Sequence, residues 1–599
     1  MEDKFSFNST DFTVSQLVDK IERGELGLPS LQRQFVWKNT QVRDLFDSML
    51  RGYPVGYLML WECPEFDKKK TIAKKKAHET PNDVIIDGQQ RLTALYAVMK
   101  GEKFLDAEYK EREIIISFRP VDRTFEVGTI SIKNNPDWIY NISDLFTKTG
   151  TYSYVTAFID RLKKKSREAD NTTLEDSERD KISKHIEELY RLKDYKFYVF
   201  QIASDADEED VSQVFVRINS RGKTLTQNNF ILTLLSVHWD EGRRKIEDFC
   251  KDSTVHASAT SFNSLGIEIS LQDVIRTVMA YAFNRAKLIF GYKLLRGTDF
   301  EKKGVINEEL REKNFDILKA KLPDVMNITN WHEFLKAIMN AGYFYDNMIL
   351  SKNAIYFTYA MYLIAKYRFK APNNINKALA SLWFFHAALT SLYSNSTETV
   401  AESHLTAIKD YSSLDEYKRF IITRVNESLT DDYFNITLPG SGQGGLAVSG
   451  SGNNAWFAYV AALNILRRKV LFSTSNLTVR DFIISFNDGK KKTLEKHHLF
   501  PKAYLKELNY PDTMINQMAN YAFIDWNDNE DISDKAPSVY YPLICRKMHL
   551  TPDEINTMEQ DNALPHNWQN MSYEDFLESR RKLMAKIIKQ GFDSLKSKI

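Results

Sequence analysis

Cysteine is scarce in this chain of 599 residues, which contains only Cys63, Cys250 and Cys545. The three lie far apart and form no CxxC pair, which argues against a disulfide framework and against a zinc site built on cysteines. Such sparse thiols fit a reducing cytoplasm, where we expect the protein to be located. The chain begins without a basic region followed by an apolar run and has no apolar run of about 20 residues, so neither a secretion signal nor a membrane span is predicted.

An excess of charge of one sign is also missing, because 81 lysines and arginines nearly balance 80 aspartates and glutamates. Any surface that binds nucleic acid must therefore be a local patch. No GxxxxGK[ST] motif occurs, so a nucleotide site of the P-loop type is excluded. At this length a single core is not expected, and about three to four domains are predicted.

One pair of adjacent histidines is present, His497 and His498. Asp481–Phe486 is predicted as a strand, residues 487–489 as a tight turn, and Lys492–Phe500 as the returning strand of a β-ribbon. Neighbouring side chains on a strand point to opposite faces, so the two imidazoles must have different roles. Further along, residues 520–525 are predicted as a short strand.

The polar stretch that follows, residues 526–533, is predicted to begin a helix that places Asn529 near His497. Hydrolysis of a phosphodiester requires a deprotonated water and a cation that neutralises charge on the phosphoryl group. A neutral imidazole suits the first task, which we assign to His498. His497 and the amide oxygen of Asn529 would hold one Mg²⁺ or Mn²⁺, since two neutral ligands bind too weakly for a caged zinc. Asn520 would support catalysis by holding His498 in place through hydrogen bonds across the loop.

These residues carry a resemblance to a nuclease family. The run His498-Leu499-Phe500-Pro501 resembles the HxxP element of HNH (His-Me finger) nucleases, and Asn520 and Asn529 resemble the two later positions of that motif. The C-terminal part of the chain is similar to the nuclease of the GmrSD-type, modification-dependent (type IV) restriction endonucleases. The resemblance implies a ββα-metal fold.

Near the N-terminus, Asp11–Ile21 is predicted as a helix that ends at Gly24, and Asn39–Arg51 as a second helix. Between them lies an extended segment, residues 28–37, which carries Gln32 and Arg33.

A strand predicted at Asp83–Ile86 leads into the run Asp87-Gly88-Gln89-Gln90-Arg91, where a sharp turn opens a helix. Backbone N–H groups, two amides and a guanidinium then surround one point, an arrangement that attracts phosphate. Asp87 would lie where the Mg²⁺ of a nucleotide or an attacking water is handled, which makes it a candidate catalytic residue.

The N-terminal part of the chain resembles the ParB-like N-terminal module of the same family, in which the DGQQR element is tied to nucleotide hydrolysis. The segments that carry the resemblance are residues 29–37, 51–56, 87–91 and 215–225. The resemblance implies an NTP as ligand, with GTP and ATP both open. The implied nucleotide-binding residues are Gln32, Arg33, Asp87, Gly88, Gln89, Gln90, Arg91, Asn219 and Arg221, with Lys223 as a weaker candidate.

The region from about 233 to 432 is predicted to be mostly helical, and its apolar run Ala378–Leu389 is predicted as a buried helix with His386 in the core. A Gly/Ser-rich segment, residues 439–452, is predicted as a loop or hinge. For the basic C-terminal tail two interpretations stay open. It lies along DNA, or it closes the fold as an amphipathic helix with Leu583, Ile587 and Ile588 facing inward. The basic residues of the tail include Arg580, Arg581, Lys582, Lys586 and Lys589.

The predicted fold class is multidomain α+β. Residues 1–232 form a ParB-like NTP-binding domain, residues 233–435 a helical connector or sensor, and residues 436–599 an HNH nuclease. The resemblance implies a cytoplasmic bacterial defence enzyme, an NTP-regulated endonuclease that cuts double-stranded phage DNA carrying a modification. A membrane partner is not expected, and a homo-oligomer stays open.

Two alternatives remain from sequence. The enzyme could sense a phosphorothioate-marked backbone and nick DNA that lacks the mark. In a different class, it could be a nucleotide-switched DNA clamp of the ParB kind, whose HNH-like domain grips DNA without cutting it.

Overall fold

The structure is a computed structural model, and the chain divides in it into two compact units, residues 1–233 and residues 234–599. The division predicted at residues 232 and 435 stays a prediction. The described residues are 7–27, 35, 37–62, 83–105, 111–147, 151–168, 175–203, 231, 235, 239–254, 263, 265–299, 307–442, 444–450, 452–473, 477–481, 495–524, 532 and 534–599.

A mixed sheet forms the centre of the N-terminal unit. The strands of this unit are β1 Phe7–Thr13, β2 Leu26–Gly27, β3 Leu58–Glu62, β4 Asp83–Asp87, β5 Phe104–Leu105, β6 Glu111–Arg112, β7 Ile116–Arg119, β8 Thr124–Val127 and β9 Lys196–Ile202. Five of them form one sheet in the order β1-β9-β3-β4-β2, while β5 pairs with β6 and β7 pairs with β8. The neighbours β9 and β3, and likewise β4 and β2, are parallel, and β3 and β4 are antiparallel.

This unit also contains helices, most of which bury apolar side chains in a core shared with the sheet. They are α1 Val14–Glu22, α2 Asn39–Leu50, α3 Gln89–Lys100, α4 Ile130–Lys133, α5 Ser143–Thr147, α6 Thr151–Glu168 and α7 Asp176–Tyr190. Fully buried side chains such as Leu17, Phe46 and Leu92 join Leu58 and Val199 of the sheet in one core. The helix predicted at residues 39–51 and the strand predicted at residues 83–86 are confirmed within one residue.

The helix predicted to begin at Asp11 was wrong at its start. Residues 11–13 belong to β1, which pairs with β9, and α1 begins at Val14. Thr13 sets the boundary because its hydroxyl accepts the N–H of Gln16 at 3.2 Å while Gln16 Oε1 accepts the N–H of Thr13 at 2.9 Å. This reciprocal capping box ends the strand and starts the helix.

The C-terminal unit is mostly helical, as predicted for residues 233–432, and with the N-terminal sheet it gives the mixed content expected of an α+β chain. Its two described strands are β10 Glu495–His498 and β11 Tyr521–Ile524. Its helices are α8 Asp240–Thr254, α9 Leu271–Phe283, α10 Leu288–Arg296, α11 Glu308–Val325, α12 Ile328–Asn340, α13 Lys352–Tyr367, α14 Asn373–Leu389, α15 Thr397–Ile408, α16 Leu414–Ser428, α17 Asn454–Ile465, α18 Lys502–Glu507, α19 Asp512–Ile515, α20 Pro537–Lys547, α21 Pro552–Asp561 and α22 Tyr573–Lys596. None of the helices in the described ranges is both long and apolar enough to cross a membrane.

The predicted buried helix is α14, and His386 lies in its core at 1% exposure. Trp383 stacks on Phe420 and meets the His386 ring edge to face. Burial lowers the pKa of His386 to about 3, with the neighbouring His404 acting in the same direction. The prediction that His386 is a core residue is therefore confirmed, but the expectation that its ring nitrogens are hydrogen-bonded was wrong, because neither has a partner among the described residues.

Candidate functional site

The strand-turn-helix segment around Asp87 is present as predicted. β4 ends at Asp87, Gly88 adopts φ 97°, and α3 begins at Gln89. A Cβ atom at position 88 would lie 2.2 Å from Leu58 Cδ2. Both the left-handed backbone and the close approach of β3 therefore require glycine at this turn.

The Arg91 guanidinium lies beside the Asp87 carboxylate at the start of α3. Arg91 Nη2 donates to Asp87 Oδ2 at 3.1 Å, and Arg91 Nη1 donates to the Val55 carbonyl at 2.8 Å. The preceding residue, Gln90, accepts the backbone N–H of Trp37 through its Oε1 at 3.3 Å. The Arg91 side chain is 15% exposed and that of Asp87 is 26% exposed, so solvent still reaches the pair. Because a guanidinium has five N–H donors, an incoming oxyanion can still bind here.

In the C-terminal unit, β10 carries both histidines and pairs antiparallel with β11. His497 lies opposite Ala522 and His498 lies opposite Tyr521. The strand predicted at Asp481–Phe486 as the partner of β10 was wrong at its first residue. Asp481 is in a helical turn, held by Thr478, whose hydroxyl donates to Asp481 Oδ2 at 2.6 Å and accepts the Asp481 N–H at 3.3 Å. Residues 482–494 lie outside the described part.

Asn520 fastens the loop that follows β10. The residue is fully buried, and its Oδ1 accepts the N–H of Phe500 at 2.8 Å. Its Nδ2 donates to the carbonyls of Phe500 at 3.1 Å and Ile515 at 3.0 Å. The Leu499 N–H donates to the backbone carbonyl of Asn520 at 2.8 Å. The two residues that follow His498 are thus held by one asparagine.

His498 is half-buried, with its ring 4.7 Å from the ring of Tyr521. Nε2 of His498 lies 3.1 Å from Oδ1 of Asn516, and the Tyr521 hydroxyl donates to the same oxygen at 3.3 Å. Burial lowers the pKa of His498; the contact with Asn516 opposes this shift, and the charge of Lys502 adds to it. A pKa below the ordinary value favours the neutral imidazole, which is the form that a general base requires.

A second layer of side chains supports this strand pair. Arg580 of α22 is 1% exposed, and its Nη1 donates to the carbonyls of Ala519 at 2.7 Å and Tyr521 at 2.8 Å, on either side of Asn520. The Tyr540 hydroxyl donates to the Leu499 carbonyl at 2.6 Å. Because Arg580 is buried, the interpretation that it contacts DNA as part of the tail was wrong. The amphipathic alternative is confirmed for α22, which buries Ile587 and Ile588, whereas Leu583 is only half-buried.

The N-terminal unit, which contains the mixed sheet and the Asp87–Arg91 pair, is similar to a known protein family. Residues 14–236 match the GmrSD restriction endonuclease N-terminal domain. The match covers this GmrSD-like region and supports a relationship to that family. Over its full length the chain is also similar to an uncharacterized protein of Methanocaldococcus jannaschii. The two are 23% identical over 631 aligned positions, which cover 96% of this chain and 97% of the relative.

In the GmrSD-like unit the structure brings together Asp87, Gly88, Gln89, Gln90 and Arg91 of the predicted nucleotide site. The remaining predicted residues of this site lie outside the described ranges; they are Gln32, Arg33, Asn219 and Arg221. Val55 and Trp37 are contacts that sequence reasoning missed, since each depends on the packing of α3 against distant segments.

In the C-terminal unit the structure brings together His498, Asn520 and Asn516. Asn516 was not predicted, and no pattern around it in the sequence marks it. His497 is next to His498 on β10, whereas Asn529, its predicted partner on a metal ion, lies outside the described residues. Within the described ranges no group of three or more His, Cys, Asp or Glu side chains is placed to hold a metal. A neutral His and Asn pair fits a hydrated Mg²⁺ or Mn²⁺ that arrives with a phosphate, and it does not fit a caged zinc.

Proposed function

We propose that this protein is an NTP-regulated, metal-dependent DNA endonuclease of the restriction type that acts in defence against phage. The observation that carries the proposal is the half-buried His498, kept neutral by burial and placed directly before a loop that Asn520 fastens. The match of residues 14–236 to a restriction endonuclease domain supports DNA as the substrate. The target we propose is double-stranded phage DNA that carries a modification.

In this mechanism His498 takes a proton from a water as the water oxygen bonds to the phosphorus of the scissile phosphodiester. The P–O bond to the leaving sugar oxygen breaks, and solvent protonates that oxygen. Asn520 keeps the backbone of residues 499 and 500 in place, so the end of the strand that carries His498 has a fixed position during the attack. Such positioning lowers the barrier because the reacting groups need no further ordering. His497 and Asn529 would hold a divalent cation, which when bound would neutralise charge on the phosphoryl oxygens.

The N-terminal unit would bind the nucleotide that regulates cutting. Arg91, positioned by the Val55 carbonyl and by Asp87, would bind phosphate oxygens at the start of α3, where the helix dipole favours negative charge. Asp87 would handle the Mg²⁺ of the nucleotide or its attacking water. Gly88 lets the backbone make the turn that brings these groups together.

Plasmid cleavage tests the nuclease. Purified protein is incubated with Mg²⁺ or Mn²⁺, each NTP in turn, and supercoiled plasmid. His498→Ala should lower the cleavage rate by about two to four orders of magnitude, the usual share of a general base. His332→Ala is the matched control, because His332 is an exposed histidine on α12. Equal cleavage by His498→Ala and wild type would remove His498 from the chemistry.

The choice of DNA tests the substrate. Faster cleavage of glucosylated phage DNA than of plain DNA is expected for a modification-dependent enzyme. Nicking of plain DNA that is lost when the DNA is phosphorothioated would favour the phosphorothioate-sensing alternative. Binding of plasmid DNA without any cleavage of it, whichever metal ion and NTP are present, would favour the alternative of a nucleotide-switched DNA clamp.

Calorimetry tests the nucleotide site. Arg91→Ala should weaken NTP binding by about tenfold or more, because a charge-assisted hydrogen bond contributes roughly 1.5–3 kcal/mol. Arg179→Ala serves as the control, since Arg179 is exposed on α7 of the same unit. Unchanged affinity in Arg91→Ala would exclude Arg91 from the site.

A further inference from the structure

The carboxamide of Asn516 faces two groups at once. Its Oδ1 lies 3.1 Å from Nε2 of His498 and 3.3 Å from the hydroxyl of Tyr521, which donates to it. A carboxamide oxygen has two lone pairs and no hydrogen, so it can only accept. The proton of the neutral His498 ring must therefore be on Nε2, which leaves the lone pair on Nδ1.

We infer that Asn516 is the positioning residue of the proposed general base, holding the His498 ring by its Nε2–H so that Nδ1 is the atom that takes the proton from water. This inference rests on the proposed nuclease function for its consequence in catalysis. It does not rest on that function for the arrangement of the ring itself.

The support beneath Asn516 makes it suitable for this role. Its backbone N–H donates to the Asp512 carbonyl at 3.0 Å, and its backbone carbonyl accepts the N–H of Gly450 at 2.7 Å. The preceding carbonyl, that of Ile515, accepts bonds from Asn520 Nδ2 at 3.0 Å and from the Tyr573 hydroxyl at 3.3 Å. The carboxamide therefore projects from a backbone that is fastened on both sides.

The surroundings of the ring match this orientation. Tyr521 of β11 covers one side of the imidazole, and Lys502, which begins α18, contributes a positive charge. Neither group accepts a hydrogen bond from Nε2 in the described part of the chain, so the orientation depends on Asn516.

NMR of the protein labelled with ¹⁵N-histidine tests the orientation without any assay of activity. The wild type at alkaline pH should show a protonated Nε2 and an unprotonated Nδ1 for His498, with a slowly exchanging Nε2–H proton. His498→Gln assigns these signals by their loss. Asn516→Leu should remove the slow exchange, whereas Asn516→Asp, which keeps an oxygen acceptor, should retain it. A proton on Nδ1 in the wild type, or unaltered Nε2–H exchange in Asn516→Leu, would overturn the inference.

Cleavage kinetics test the consequence. Asn516→Leu should lower kcat by about 10- to 100-fold, the usual loss when the partner of a functional histidine is removed, with KM for plasmid DNA unchanged. Asn516→Asp should restore much of kcat. Asn516 is half-buried, so both variants should melt close to the wild type. A rise in KM with kcat unchanged would overturn the inference. Absence of cleavage by the wild type would overturn the proposed function, while the NMR result would still decide the role of Asn516.

Discussion

The substitution Asn520→Asp offers a quantitative test of the fastening of the loop after β10. Aspartate has the shape of asparagine, so it can still accept the N–H of Phe500, which lies 2.8 Å from Oδ1. The second oxygen, however, would replace Nδ2 and face the carbonyls of Phe500 at 3.1 Å and Ile515 at 3.0 Å. In a fully buried site two attractive contacts would become repulsive ones.

The new carboxyl group would therefore keep its proton in the folded protein, and its folded pKa would be raised above the unfolded value of about 3.9. Keeping the acid protonated at pH 7 costs about 4 kcal/mol, and at pH 4.5 it costs about 1 kcal/mol. One carbonyl also loses its donor, which adds about 1–3 kcal/mol at every pH. A raised folded pKa means that stability is regained as the pH falls, so the variant should approach the wild type in acid.

Urea denaturation of Asn520→Asp and wild type at pH 4.5 and pH 7 measures this. The difference in unfolding free energy should be larger at pH 7 by about 3 kcal/mol. Asn509→Asp is the control for the added carboxyl group, since Asn509 is an exposed asparagine of the same unit. Equal stability of Asn520→Asp and wild type at pH 7 would refute the hydrogen bonding described for Asn520.

Two further predictions concern the cores of the two units. Burial lowers the pKa of His386 to about 3, so the unfolded chain takes up a proton first as the pH falls below about 6.5. His386→Leu should therefore reduce the loss of stability between pH 7 and pH 5 by about 2 kcal/mol, measured by urea denaturation, and an unchanged acid profile would contradict the burial of a neutral ring. In the N-terminal unit, Gly88 (φ 97°) and Gly101 (φ 68°) both have a left-handed backbone. Gly88→Ala would place a Cβ 2.2 Å from Leu58 Cδ2, whereas the Cβ in Gly101→Ala would make an ordinary contact of 3.7 Å with Ser143. Both variants should lose about 1–2 kcal/mol from the left-handed backbone, and calorimetry should show a larger loss and weaker NTP binding for Gly88→Ala alone.

Local sequence patterns were sufficient wherever short-range chemistry decides the structure. The strand at residues 83–86, the glycine turn and the helix from Gln89 follow from β-branched residues, a left-handed position and a helical period, all within 20 residues. The buried helix α14 follows from its unbroken apolar run in the same way. A motif suggested that Asn520 supports His498. In the structure Asn520 bonds the loop that follows β10, and its role in catalysis stays a prediction.

Tertiary packing decided the contacts between segments that are far apart in the sequence. Asp481 could continue a strand by its pattern, yet a capping bond from Thr478 turns it into a helix, and β10 pairs with β11. Arg580 is one of six basic residues on the last helix, and only the fold buries it against the carbonyls beside Asn520. Asn516 reaches His498 because α19 ends next to β10, a proximity that no periodicity encodes. Hydrophobic patterns specify which face of an element is buried, whereas the partner of a polar side chain depends on where the chain returns in space.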